Sequence, residues 1–259
     1  MKSITLFIVL SILVSLSGCS IFSDPKDVAA RWTVQHLYSE AKGALEVGDY
    51  DAAIKYYEML EARFPFGKYA QQAQLDVVYA YFKFEEPESA MIAANRFLKL
   101  YPRHPKADYV YYLKGLVNFK KNQGTLDRFL PIDRSQRDQS STLQSFQDFA
   151  ELAERFPKSR YSQDARQRMV HLRNRLAKYE LHVAKYYLKR GAYLAAANRA
   201  KTVIESYQRT PVVADALVVL AKAYKIMNLP DLSANALKVL QLNYPKHEGI
   251  EKVTNLVLK

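Results

Sequence analysis

Cys19 is the only thiol in this chain of 259 residues. Lys2 precedes an apolar run from Ile4 to Leu16, and Ser17 and Gly18 stand just before the cysteine. A basic start, a short apolar run and small residues before a cut site make a secretory leader, too short to cross a bilayer as a stable helix. With no second cysteine to pair with, a sulfur in this place reads as a point of covalent attachment. The other residue types that could do chemistry are scattered. His36, His104, His171, His182 and His247 show no metal-ligand spacing, and no GxSxG or phosphate-binding glycine loop occurs. Glu85, Glu86 and Glu88 fall between two helical patterns, where acids are solvated rather than paired for proton transfer. The chain therefore reads as non-enzymatic, with no catalytic residue, no metal and no cofactor.

Leu16-Ser17-Gly18-Cys19 resembles the bacterial lipobox. That resemblance implies loss of residues 1–18, an S-diacylglycerol thioether on Cys19 and an N-acyl group on its new amine. Each buried CH₂ contributes about 0.8 kcal/mol, so several acyl chains attach the protein to a membrane effectively for good. Residues 19–30 would be the tether. Ser20, in place of an aspartate, implies sorting to the outer membrane, with the chain on its periplasmic face.

The elements that would carry a surface for partners are helical. Glycine is scarce, alternating strand patterns are absent, and five apolar-periodic segments each end on an aromatic residue: Phe64-Pro65, Tyr101-Pro102, Phe156-Pro157, Tyr207-Gln208 and Tyr244-Pro245. A small residue stands at one fixed distance before each, namely Ala53, Ala90, Ser145, Ala196 and Ser233. Farther upstream, Tyr81, Tyr187 and Tyr224 recur in register, and Gly48 and Gly191 occupy inter-helix turns. This is the tetratricopeptide (TPR) pattern, in which small residues let paired helices approach and proline ends the second helix. The expected fold is all-α, a superhelical stack of about five TPR helix-turn-helix repeats. Repeats 1–3 would span 31–157, with a polar extension near 121–142, and repeats 4–5 would span 158–259. Between Ser162 and Tyr187 neither glycine nor proline occurs, which predicts long helices in the fourth repeat.

The formal charge of +12 favours acidic partners or anionic headgroups. The basic residues are spread along the chain without an RNP, zinc-finger or helix-turn-helix signature, so nucleic acid is not the expected partner.

Specific segments carry a closer likeness. Arg63-Phe64-Pro65-Phe66-Gly67, Gln72-Ala73-Gln74-Leu75-Asp76, Asp133-Arg134-Ser135-Gln136-Arg137-Asp138 and Arg175-Leu176-Ala177-Lys178-Tyr179-Glu180 resemble the BamD (ComL) family, lipoproteins of the outer-membrane β-barrel assembly (BAM) machine. Gln139 departs from the family's pattern, which commonly has proline there. The resemblance implies a periplasmic scaffold that docks on the POTRA domain of BamA nearest the barrel. It further implies receipt of unfolded β-barrel precursors through their C-terminal signal, with BamC among the accessory partners in some bacteria. It points to Arg190, Asn198 and Arg199 in the fourth repeat for the BamA contact.

In a TPR stack the first helix of each repeat lines the groove. Register then places Tyr38 and Lys42, Leu75, Tyr79, Phe82 and Lys83 in it, followed by Tyr109, Tyr112, Phe119 and Lys120. Rings interleaved with ammonium groups suit a peptide with an aromatic end and a free carboxylate. Asp133, Arg134, Arg137 and Asp138 read as a charge cluster that fixes the extension by mutual pairing. Two rival readings remain at this point, a pilotin-type TPR lipoprotein and a peptidoglycan-associated lipoprotein.

Overall fold

A computed structural model of the chain describes residues 31–121 and 139–257. Cys19, the tether and the charge cluster at Asp133, Arg134, Arg137 and Asp138 lie outside the described residues. Eleven helices and no strand occur among the described residues: α1 (Val34–Val47), α2 (Tyr50–Arg63), α3 (Lys68–Lys83), α4 (Pro87–Leu100), α5 (Ala107–Lys121), α6 (Ser140–Arg155), α7 (Ser162–Lys189), α8 (Tyr193–Ser206), α9 (Val213–Ile226), α10 (Pro230–Asn243) and α11 (Gly249–Thr254). The first ten follow one another as five helix-turn-helix units, the all-α tetratricopeptide pattern expected from the sequence. α5 ends at Lys121 and α6 begins at Ser140, so the polar extension separates the helices of the third pair.

The repeat letters acquire physical roles. Phe64, Tyr101, Phe156, Tyr207 and Tyr244 each cap the second helix of a pair, their N–H groups bonding back to Leu60, Phe97, Leu152, Val203 and Leu240. All five have left the helical region, as the residue before proline must. Tyr207 does so without a proline. The five small residues are buried, and where the small residue is serine its hydroxyl donates across the pair, Ser145 to the Gly115 carbonyl and Ser233 to the Ala221 carbonyl, each at 2.9 Å. Gly48 and Gly191 turn the chain with positive φ, and the equivalent places in the second and fifth pairs hold Glu85 (φ 66°) and Asn228 (φ 57°).

The chain groups into two compact units divided between Ala80 and Tyr81. In the first, α1 packs on α2 around Leu37, Ala41, Ala53, Tyr57 and Leu60. Thr33 caps α1 by accepting from the His36 N–H, and Asp49 caps α2 by accepting from the Ala52 N–H. In the second, successive helices from α4 to α10 pack each on the next. Phe149, Leu152, Ala165 and Leu172 centre one cluster. A larger cluster, rich in alanine, joins α7 to α11. α7 is twice the length of most of its neighbours, so it packs against both α6 and α8.

Candidate partner-binding surfaces

In the first unit, Asp76 is buried and gathers polar groups. Its carboxylate accepts from the Tyr38 hydroxyl at 3.0 Å, the Tyr57 hydroxyl at 3.5 Å and the Gln72 amide at 2.8 Å. Burial, and then the Asp76 charge, hold both tyrosines protonated well above the ordinary phenol range. Tyr38 also contacts the Tyr69 ring, so its polar end is committed inward. Lys42 pairs with Glu46 at 3.7 Å on the helix surface.

One groove residue is corrected: Leu75 is only 2% exposed and packs in the core. The physical reason is that α3 is covered on most of its circumference, with every residue from Ala73 to Val78 buried. Tyr79 is partly exposed.

In the second unit, Lys120 lies 5.7 Å from the Phe82 ring centre and bonds to Glu85 at 2.7 Å, while Lys83 is exposed. Farther along, the first helices of the third and fourth pairs meet through a strip of rings and charges. Tyr112 stacks on Tyr161 with centroids 4.9 Å apart and donates its hydroxyl to Asp164 at 2.7 Å. Tyr109 joins Tyr161 at 5.4 Å. Arg168 pairs with Asp164 and covers the Phe119 ring at 5.0 Å, and the His171 ring lies 6.1 Å from that ring, tilted against it. The Arg168 and Tyr112 hydrogen bonds lower the Asp164 carboxyl below its usual range, against the raising effect of burial. Register reasoning on α5 found Tyr109, Tyr112 and Phe119 but missed their α7 partners. Their spacing, Tyr161, Asp164, Arg168 and His171, is a helical face that could have been read once α7 was taken as a first helix.

On the fourth pair, Arg199 of α8 meets Glu180 of α7. One terminal nitrogen, Nη1, donates to both carboxylate oxygens, at 2.9 and 3.2 Å. Arg199 remains 45% exposed while Glu180 is 15% exposed, so the carboxylate anchors the guanidinium through Nη1 and leaves Nε and Nη2 for a further acceptor. Asn198 is exposed beside it, and its carbonyl accepts from Thr202. Arg190 is exposed too, and its backbone N–H closes the C-terminus of α7.

Among the described residues no group of histidine, cysteine and acidic side chains could hold a metal ion, and no helix is long and apolar enough to cross a membrane.

The family profile described as YfiO, outer membrane lipoprotein, matches residues 31–253. The outer membrane protein assembly factor BamD of Neisseria gonorrhoeae is 45% identical over 248 residues, covering 95% of this chain and 92% of that protein. The BamD of Neisseria meningitidis serogroup B is 44% identical over 249 residues, with the same coverage of each. That of Vibrio cholerae is 38% identical over 228 residues, covering 88% of this chain and 93% of its own length. The resemblance read from the repeat junctions is thus borne out over nearly the whole sequence, and the chain belongs to the YfiO family of outer membrane lipoproteins.

Proposed function

We propose that this protein is an outer-membrane protein assembly factor, a non-catalytic periplasmic scaffold held to the membrane by lipid on Cys19. In this reading it docks on the POTRA domain of BamA nearest the barrel and receives β-barrel precursors through their C-terminal signal. The relatives' shared name supports the role. The observation that carries the docking reading is the anchored Arg199 guanidinium, whose unused edge can take a second carboxylate bidentately without first ordering a flexible side chain. The strip of Tyr109, Tyr112 and Phe119 with Lys120 nearby supports precursor binding, since rings and an ammonium group suit a chain that ends in an aromatic residue and a carboxylate.

Arg199→Glu sets a second acid against Glu180 and removes the fork. Losing one partner of a buried interfacial charge pair costs about 2–5 kcal/mol. A titration of the purified POTRA domain by calorimetry should show at least a tenfold loss of affinity, a change of about 1.4 kcal/mol. Arg199→Lys should recover only part of it. Unchanged affinity for Arg199→Glu would move the docking surface elsewhere.

A further inference from the structure

A cleft of about 450 Å³ opens where α6, α7 and the end of α8 diverge. Its cause is the length of α7. The N-terminal half of that helix follows α6 and its C-terminal half follows α8, so no helix fills the space between those two. Leu143 and Phe146 of α6, Leu176 of α7 and Tyr207 give the cleft apolar walls, and Arg173 and Arg209 give it two guanidinium groups. Among the described residues neither arginine has an ion pair or side-chain hydrogen bond, whereas the acid at the rim, Glu205, is paired with Lys201 at 3.5 Å. The cleft sits at the one repeat junction that lacks its proline, Tyr207-Gln208-Arg209. There Arg209 takes a left-handed backbone (φ 64°), and Thr210 holds the turn by donating its hydroxyl to the Tyr207 carbonyl at 2.8 Å. A side chain with a Cβ resists that conformation, and such strained positions cluster at binding sites.

We propose that this cleft binds an extended peptide segment in which an acidic side chain lies next to an aromatic or large apolar one. Charge complementarity selects the acid, because two planar forks without a partner among the described residues match a carboxylate bidentately. The volume selects the rest: it is at the small end of ligand clefts and holds two or three side chains, too little for the acyl chains of a lipid. The site adjoins the Arg199–Glu180 pair, since the Glu180 charge acts on the Tyr207 hydroxyl, but the carboxylate of that pair is already taken by Arg199.

The test uses the full-length protein in detergent and labelled octapeptides in a glycine-serine background that carry one glutamate and one phenylalanine at varied spacing. Fluorescence anisotropy should find at least one spacing that binds and weakens with salt. Replacing its glutamate by glutamine, or its phenylalanine by alanine, should cost about tenfold or more, the loss of one charge-assisted hydrogen bond or of a buried ring. Arg173→Gln should weaken binding similarly. Arg209→Gly is the decisive variant, because glycine suits the turn: the protein should melt no lower than wild type yet lose affinity. No binding across the panel, equal binding of the neutral peptides, or full affinity in Arg209→Gly would each overturn the proposal. Binding of the soluble phosphatidylglycerol headgroup, glycerophosphoglycerol, abolished by Arg173→Gln and not competed by the peptides, would assign the cleft to lipid headgroups and overturn it as well. BamA takes no part in the measurement, so failure here leaves the docking reading standing.

Discussion

Glu85 and Gly115 show how differently single positions are constrained. Glu85 turns the second pair in a left-handed conformation that costs a side-chain residue about 1–2 kcal/mol, where the first and fourth pairs have glycine. Its ion pair with Lys120 is exposed and of small worth. Glu85→Gly should therefore raise stability by up to about 1 kcal/mol after the added freedom of the unfolded chain is subtracted, read as a higher midpoint in thermal unfolding. Gly115 has an ordinary helical backbone, but a Cβ there would fall 2.4 Å from the Phe149 ring carbon Cε1. Phe149 is fully buried and cannot swing away. Gly115→Ala should cost about 1–3 kcal/mol, and urea unfolding would show it as a lower midpoint at unchanged slope. The turn glycines Gly48 and Gly191 are legible in the sequence because the turn needs them. Gly115 is not, because its reason is a ring on another helix, and Glu85 is not, because nothing in an acidic letter announces a left-handed turn.

The helices were legible wherever punctuation was strong. The aromatic-proline junctions and the small residues set out five helix-turn-helix units, which the structure shows, while the long helices expected after Ser162 are a single one, α7 with 28 residues, followed by α8 with 14. Which face a helix exposes was harder. Register assigns a groove face to α3, yet Leu75, Asp76, Val77 and Val78 are all buried in succession, so period alone cannot choose a side on a helix covered nearly all round. On α5, where Val110, Leu113 and Val117 mark a clear inner stripe, the same reasoning placed Tyr109, Tyr112 and Phe119 at the surface strip. The cleft beside Arg173 and Arg209 had no signature, since it arises from the divergence of two helices around a third. α7 also carries an expectation of its own. It has no glycine or proline, and its middle is held from both sides, by Leu172 in one cluster and Leu181 in the next. In native-state hydrogen exchange, amides near Leu176 should be among the slowest of the second unit and should exchange together with those of α6 and α8. Fast exchange there, with α8 protected independently, would show that the long helix does not tie its neighbours together.

At the scale of the molecule, buried and surface charges are used differently. Buried acids such as Asp76 and Asp148 serve the framework: Asp148, 2% exposed, is held by Asn118 at 2.7 Å and Lys114 at 3.7 Å across the α5–α6 pair. Two charges on α7 hold the candidate surfaces, and their separation is fixed. Asp164, which orders the aromatic strip, and Glu180, which anchors Arg199, are carried by one helix without a break. Helical rise then sets them about 24 Å apart along its axis. The helix is thus a ruler. A single polypeptide bridging both sites must reach that span, so fewer than about seven extended residues cannot do it.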